Sequence, residues 1–392
     1  MLIGFFEGID SERGIAWRVA DSLSLRQFLR YGMNEATPDH VTVSRTRRLM
    51  DEQTHQAVFG FVLRQVAKRG LLKGKTVGID ATTLEANAAM KSIIRRDTGE
   101  TYMDYLRRLA AAAGVDPEDD DAVRRMDRGR KKKTSNDDWV NPHDPEAEVM
   151  RMKDGTTHLA YKAEQAVDME TGAIVAVTTH GGATGDTTSM RETLQSAGEA
   201  VAGEIATKTD DGGFAVNERG VEEVVTDKGY HSGAALRRMA EMGIRTYVSE
   251  PNQQRRRKWE GKAEEKVAVY ANRRRVNGTR GKDLLKRRGE FLERPFAHQF
   301  ETGAMRRLHV RGRDNVAKRL LLQAAACNLA LILRSMGGAG TPRGSADHRQ
   351  RLVFVFLSIL AALHRLTDQS LRSGDQPSAY WSRVEPAIPR PH

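Results

Sequence analysis

The order of strands and helices between residues 76 and 249 restricts the fold more than any other feature of this sequence. Short segments there are continuously apolar or alternate apolar and polar residues, as strands do, and longer ones repeat apolar residues at helical spacing. The predicted order is a strand at 76–81, a hairpin at 158–182 with its turn at 169–172, a helix at 189–202, a strand at 221–227, a helix that Ser232 can cap, and a strand at 244–249. This order predicts an α/β fold, in which a mixed sheet is flanked by helices.

The segments on either side of this region have other patterns. Residues 1–72 are predicted to form an N-terminal all-helical domain, whose most regular helix spans 52–69. Short helices joined by a tight turn fit a DNA-reading helix-turn-helix and a small helical bundle almost equally well. Further boundaries are predicted for a main domain at 73–335, a charged excursion at 97–154, a basic insertion at 251–289, a last helix at 316–334 and a C-terminal tail at 336–392.

Positive charge is concentrated in one part of the chain. The formal net charge is +11, which favours a polyanionic partner. Residues 251–319 hold 21 Lys or Arg against 8 Asp or Glu, so the remaining residues are slightly acidic. A solvated surface is the usual explanation for one basic cluster; several clusters beside a candidate acidic site favour contact with DNA phosphates and salt-dependent binding. The cations expected to contact DNA are Arg255, Arg256, Arg257, Lys258, Arg273, Arg274, Arg275, Lys286, Arg287, Arg288, Arg306 and Arg307.

Cysteine content and hydropathy exclude several classes of protein. The single cysteine, Cys327, cannot form an internal disulfide or a Cys-rich zinc site, and it fits a reducing cytoplasm. The apolar run LVFVFLSILAAL at 352–363 is too short to span a bilayer, and the opening MLIGFFEGIDSER lacks the basic start of a signal peptide. We therefore expect a cytoplasmic protein without a membrane partner.

Two predicted strands each end at an aspartate, Asp80 after VGI and Asp227 after VVT. Ligands collect at the carboxyl ends of strands, although either aspartate could instead cap a turn or helix. Neighbouring carboxylates repel each other, and a divalent cation with oxygen ligands, Mg²⁺ or Mn²⁺, would cancel that repulsion. A third carboxylate from a helix would complete a two-metal site, and spacing alone leaves Glu290, Glu293 and Glu301 as alternatives.

Three further side chains each have two interpretations. Trp139 and Trp259 lie beside basic tracts, where they could stack on a flipped base, but a tryptophan in such a place is more often packed in the interior. Lys162, on a predicted hairpin strand, could approach a phosphate or simply face solvent.

Long segments of the chain resemble the transposases of the IS4/IS5 superfamily and, within it, the IS1182-like group. The resemblance covers nearly the whole length and is carried by GFFEGIDSERGIAWRVADSLSLRQFL, TPDHVTVSRTRR, VGIDATTLEANAAMKSIIRRDTGE, KDGTTHLAYKAEQAVDMETGAIVAV, VVTDKGYHS and ERPFAHQFETGAMRRLHVRGRDNVAKRLLLQAAACNLALILR. It implies an RNase H-like fold and metal-dependent DNA strand cleavage and strand transfer at the ends of an insertion element.

The resemblance also implies a set of site residues and partners. Asp80, Asp227 and Glu293 would be the catalytic and metal-binding triad, with Mg²⁺ as the ion and Mn²⁺ as a substitute. The partners would be double-stranded DNA, at terminal inverted repeats and target, and a second copy of the chain when two ends are paired. The related IS4-type signature has a tyrosine, an arginine and a lysine where this chain has Lys286, Gly289 and Phe300. Glu290 therefore stays an alternative to Glu293.

Two other functions are compatible with the same residues. A nuclease on the same fold would use the triad without strand transfer. Proteins of the group usually have more residues ahead of the segment that opens this chain, so a shortened, catalytically inactive DNA-binding remnant is the second alternative.

Overall fold

The computed structural model describes residues 2–9, 11–131, 135–152, 155–206, 216–252 and 258–337. Arg255, Arg256 and Arg257, the apolar run at 352–363 and all but the first two residues of the predicted tail lie outside the described residues.

The elements follow one another in the predicted alternation. The strands are β1 (Thr76–Glu85), β2 (Ile94–Arg95), β3 (Trp139–Val140), β4 (Glu148–Arg151), β5 (Thr157–Asp168), β6 (Ile174–Gly181), β7 (Glu223–Thr226) and β8 (Arg245–Val248). The α-helices are α1 (Leu2–Glu7), α2 (Glu12–Asp21), α3 (Leu23–Phe28), α4 (His40–Leu49), α5 (Glu52–Lys68), α6 (Tyr102–Ala112), α7 (Asp120–Gly129), α8 (Asp186–Ala206), α9 (Gly233–Glu241), α10 (Ala263–Asn277), α11 (Thr279–Arg288), α12 (Arg294–Glu301) and α13 (Arg313–Gly337). Short 3₁₀ turns lie at Met90–Ser92 and Lys228–Tyr230, and a π-helical turn at Gly289–Glu293.

The main sheet has the strand order β4-β5-β1-β7-β8, with β6 also paired to β5. β5 is antiparallel to β1, β4 and β6, whereas β7 is parallel to both β1 and β8. Val77 and Ile79 of β1 are fully buried in an apolar cluster that also includes residues of α5, α8 and α13. The predicted α/β architecture, a mixed sheet flanked by helices, is confirmed.

The first strand is longer than its apolar run suggested. The expected strand stopped at 81 with Asp80 at its end, but β1 continues to Glu85 because β5 pairs with it as far as Glu85 opposite Ala160. The parallel partner β7, in contrast, pairs only up to Gly78 opposite Val225. Asp80 therefore lies within β1, at the point where the neighbouring parallel strand stops.

The charged excursion at 97–154, expected to be part helix and part exposed loop, also contributes strands. It contains α6, α7 and β4, and β4 joins the main sheet by pairing with β5 from Glu148 opposite Ala160 to Arg151 opposite Thr157. The short strand β3 pairs with β2 and places Trp139 in a second apolar cluster with Leu84 and Tyr161.

The described part of residues 1–72 contains the helices α1 to α5, and these share their core with the sheet. Phe5 and Phe6 of α1 and Phe59, Val62 and Val66 of α5 belong to the same buried cluster as the strands. The structure therefore draws no clear boundary at residue 72. Of the described helices, α13 alone is long and apolar enough to cross a bilayer. Its most apolar stretch is 72% buried inside the protein, which is typical of a core helix.

Candidate active site

Asp80 and Asp227 lie beside each other because their strands are parallel and in register. Gly78 of β1 pairs with Val225 of β7, and each aspartate follows two residues later. Side chains alternate along a strand, so a spacing of two keeps both carboxylates on one face. Asp227 comes directly after β7 with extended backbone angles (φ −80°, ψ −177°), which preserves that alternation.

The turn after β7 holds Asp227 by a local hydrogen bond. The Gly229 amide donates to Asp227 Oδ1 at 2.8 Å, so this carboxylate caps the 3₁₀ turn Lys228–Tyr230. Asp227 therefore does cap a turn, as one of its two interpretations predicted. It also lines the same cavity as Asp80.

Glu293 reaches the site through the π-helical turn between α11 and α12. A π turn inserts an extra residue into a helix and commonly occurs at functional sites. The turn packs closely on β1 at Gly78, where a β-carbon would lie 2.5 Å from Met169 Sδ and 2.7 Å from Leu292 Cδ2. The Gln165 side chain donates to the Leu292 carbonyl at 3.5 Å. The absence of a side chain at Gly78 therefore lets the Glu293 segment approach the strand that carries Asp80.

We expect Gly78→Ala to lower the stability of the fold. Met169 and Leu292 are fully buried, so an added methyl group should cost about 1–3 kcal/mol of unfolding free energy through overpacking. Urea unfolding measures this effect. The control is Gly60→Ala in α5, where nothing lies within 4 Å of the added carbon and stability should rise by about 0.5–1 kcal/mol; equal effects of the two changes would contradict the packing argument.

An open cavity of about 590 Å³ joins these elements. Its charged lining is mostly acidic: Asp80, Asp186, Asp227, Glu293 and Glu301, against Arg288 and Arg306. Tyr230, Phe296 and Phe300 contribute apolar wall. A carboxylate-rich cavity in a basic protein suits a cation held between acidic side chains.

The carboxyl of Asp80 is strongly affected by this environment. Burial, reinforced by the negative charges of Asp227 and Glu293, raises the pKa of Asp80 to about 6, although the Ala81 amide and Arg288 favour its charged form. Arg288 Nη1 lies 3.6 Å from Asp80 Oδ2. Burial is thus the main cause of the raised pKa of Asp80, and the charges of Asp227 and Glu293 add to it.

The donor set fits a hard divalent cation. Mg²⁺ and Mn²⁺ prefer carboxylate and water oxygens and are usually held by a few carboxylates with open positions. Within the described ranges, however, no three acidic, histidine or cysteine side chains are already gathered into a ready-made metal site. Repulsion between the carboxylates opposes such an approach until a cation offsets it.

The three candidate glutamates lie in different places. Glu293 and Glu301 line the cavity of Asp80 and Asp227. Glu290 forms an exposed ion pair with Arg294 at 3.1 Å and lines a separate cavity with Arg294, His298 and Arg334. The spacings 290, 294 and 298 follow one stripe of the helix, so Glu290 faces away from the aspartates.

The predicted DNA-contacting cations that lie within the described residues fall into three groups. Arg288 and Arg306 line the acidic cavity, and Arg306 is held there because its carbonyl accepts a hydrogen bond from the Glu85 amide at the end of β1. The exposed cations are Lys258, Arg274, Lys286, Arg287 and Arg307. Arg273 pairs with Glu250 at 2.7 Å, and Arg275 donates to the Thr246 carbonyl and hydroxyl at 2.9 Å, so both also serve the fold.

The ambiguous side chains are placed by the tertiary structure. Trp139 is buried and packs edge-on against Tyr102 and Tyr105, as the interior interpretation predicts. Trp259 is partly buried against the main core. Lys162, expected near a phosphate or in solvent, is buried instead and bound to Asp186, a cavity residue that the sequence did not single out.

Two family models match the chain. One, described as a Transposase DDE domain, matches residues 132–329, just over half of the 392 residues. The chain belongs to the DDE transposase family. The other model, described as a Transposase domain (DUF772), matches residues 1–49 of the transposase. Comparison with curated proteins gave no match.

The family model and the strand pairing account for different residues of the site. Membership implies DNA binding and a nuclease or transposition activity for this transposase. The DDE model covers Asp227 and Glu293 but begins after Asp80. Pairing of β1 with β5 and β7 brings Asp80 to the other two carboxylates.

Proposed function

We propose that this DDE transposase belongs to an insertion element of the IS1182-like group and cuts and joins DNA strands at the element ends. The observation that carries the proposal is the convergence of Asp80, Asp227 and Glu293 on one cavity, flanked by Arg288 and Arg306. The DUF772 match at residues 1–49 supports the subgroup.

Asp80, Asp227 and Glu293 would hold two Mg²⁺ ions, or Mn²⁺ in their place. When bound, such ions lower the pKa of an attacking water or 3′-hydroxyl and neutralise charge on the leaving 3′ oxygen. The protein's part is to keep three carboxylates within one cavity. The turn cap at Gly229 and the close packing at Gly78 do this.

Cations around the cavity would bind the DNA backbone. Arg288 and Arg306 stand at the cavity itself, where a phosphodiester near the carboxylates needs positive neighbours. The exposed Lys258, Arg274 and Lys286 lie in the basic region 251–319 and would contact phosphates further along a duplex.

A second copy of the chain is the proposed protein partner when two ends are paired. Large apolar side chains are exposed on the N-terminal helices and the segments between them, with Trp17 66%, Leu23 61%, Met33 72% and Leu49 72% accessible. Apolar groups exposed in one region are typical of a protein-binding surface.

The test is Glu293→Gln beside the matched variant Glu290→Gln. A duplex carrying both ends of the surrounding genomic element is incubated with Mg²⁺ and a second, target duplex. Loss of a metal-holding carboxylate should exceed the 10–100-fold cost of an outer-shell change, so we expect Glu293→Gln to reduce cleavage by more than about 100-fold. Glu290→Gln should retain at least about half of wild-type cleavage, because it lines another cavity.

The products separate the remaining alternatives. Element ends joined to the target duplex, in a complex with the mass of two chains, support transposition by a dimer. Cleavage without joined products indicates a nuclease. Bound but uncut DNA in both Mg²⁺ and Mn²⁺ indicates an inactive remnant and contradicts the proposal.

A further inference from the structure

Lys162 is a buried cation directly behind the candidate active site. It is 5% exposed, and its Nζ donates to Asp186 Oδ1 at 2.5 Å, to Ser189 Oγ at 2.9 Å and to the Thr184 carbonyl at 3.1 Å. A buried ammonium is stable only when it is paired and hydrogen-bonded. Asp186 opens α8 and is 39% exposed, so it connects this buried cation to the open cavity.

The network behind the cavity continues through a fully buried carboxylate. Glu164 Oε1 accepts hydrogen bonds from Ser189 Oγ at 2.6 Å and from Tyr230 OH at 2.9 Å, and Glu164 Oε2 accepts one from Thr193. Burial and the nearby Glu164 raise the pKa of Tyr230 well above its usual range, so its hydroxyl stays a donor. Tyr230 ends the 3₁₀ turn that begins just after Asp227.

This network lies on the sheet face opposite the π turn. Glu164 bonds to residues of α8, whereas the next residue of β5, Gln165, bonds to Leu292 of the π turn. Adjacent residues of a strand point to opposite faces. The turn from Asp227 to Tyr230 is thus supported from the side of the sheet that does not carry Asp80.

Asp186 touches the Asp227 turn at a glycine. A β-carbon on Gly229 would collide with Asp186 Oδ2 and would lie 3.0 Å from Asp227 Oδ1. One oxygen of Asp186 is therefore held by Lys162, while the other packs against the residue whose amide caps Asp227.

We propose that Lys162 and Asp186 form a positioning pair, which supports the Asp227 turn from behind the sheet and keeps the Asp227 carboxylate where it can hold a divalent cation. This inference rests on the proposed function. Lys162 also supplies one positive charge beside a group of carboxylates that otherwise repel one another.

The test measures Mg²⁺ binding to the full chain by calorimetry, without DNA and far below the melting temperature. Asp186→Asn keeps the shape of the side chain but removes the charge that Lys162 holds. Changes in groups that orient metal ligands typically weaken affinity 10–100-fold, and we expect a weakening of that order for Asp186→Asn and Lys162→Met. The controls are Asp121→Asn and Lys68→Met, two changes at exposed residues that should leave the Mg²⁺ affinity unchanged.

A double-mutant cycle distinguishes positioning from general stabilisation. If Asp186 acts through Asp227, Asp186→Asn should weaken Mg²⁺ affinity by less than about a further twofold in a protein that already carries Asp227→Asn. Two results would overturn the inference about Lys162 and Asp186 but leave the proposed function standing. One is that the losses of Mg²⁺ affinity in the two single variants simply add in the double variant. The other is that the Asp186→Asn protein binds Mg²⁺ as tightly as wild type. A wild-type chain that neither binds Mg²⁺ nor cleaves end DNA overturns the proposed function as well. Should Lys162→Met fail to fold in a melting experiment, Asp186→Asn, whose side chain is partly exposed, still decides the question.

Discussion

Asp227→Asn is expected to abolish strand cleavage while the protein still binds end DNA. Asparagine caps a turn as well as aspartate does, so the hydrogen bond from Gly229 and the fold around it should persist. The lost charge removes one of the carboxylates proposed to hold the metal ions. Cleavage should fall by more than about 100-fold, beyond the effect of an outer-shell change, and Asp80→Asn should behave in the same way.

Binding and cleavage are measured on the same element-end duplex, by gel shift and by product formation in Mg²⁺. Each variant removes a negative charge beside the cations proposed to bind phosphates, so DNA affinity should be equal to or higher than that of wild type. Asp121→Asn, an exposed change in α7 with a 79% accessible side chain, is the matched control. Variants at 80 and 227 that cleave like this control would show that these aspartates are not the catalytic carboxylates.

Asp80→Asn is also expected to make the protein more stable at pH 8 in the presence of a chelator. The pKa of Asp80 is raised from 3.8 to about 6 in the folded protein, so the folded state holds this proton more tightly than the unfolded state. The corresponding stability is present below pH 3.8 and is lost as the pH rises through about 6. At pH 8 the neutral asparagine should therefore gain about 1–3 kcal/mol of unfolding free energy over wild type.

Urea unfolding at several pH values tests the sign of this effect. The gain in unfolding free energy of Asp80→Asn over wild type should shrink below pH 6 and disappear near pH 4. Added Mg²⁺ should stabilise wild type more than the variant, because a ligand stabilises only the state that binds it. Equal protection of both proteins by Mg²⁺ would argue against Asp80 as a ligand, and a variant less stable than wild type at pH 8 would contradict the electrostatic argument.

Both predictions concern a site in which activity is in conflict with stability. Burial of the charged Asp80 carboxylate and, to a smaller extent, repulsion from Asp227 and Glu293 destabilise the folded chain unless a cation offsets them. Substitutions that relieve such strain commonly stabilise a protein and remove its activity. An Asp80→Asn protein that is more stable than wild type at pH 8 and yet has lost DNA cleavage would strongly support a metal-dependent site.

The strand pattern and the two aspartates could be read from the sequence because they depend on local order. Alternation along a strand is a property of the backbone, and the motifs VGID and VVTD end their apolar runs in the same way. Parallel pairing of Gly78 with Val225 then places Asp80 and Asp227 side by side, as expected. The length of β1 was underestimated because pairing with β5, not hydrophobicity, carries it to Glu85.

Tertiary packing placed Glu290 outside the cavity of the two aspartates, which Glu293 and Glu301 both line. Spacing gave no choice among Glu290, Glu293 and Glu301, since helical periodicity does not say which side faces the sheet. The π turn and the small Gly78 orient Glu293 toward the aspartates, while Glu290 pairs with Arg294 on another face. Packing also buried Lys162 and brought Asp186 to it from a different element. Sequence by itself therefore determined the α/β order and the two strand aspartates, which depend on neighbouring residues. The place of Glu293 in the cavity and the ion pair between Lys162 and Asp186 depend on contacts between distant segments, and only the folded chain specifies those.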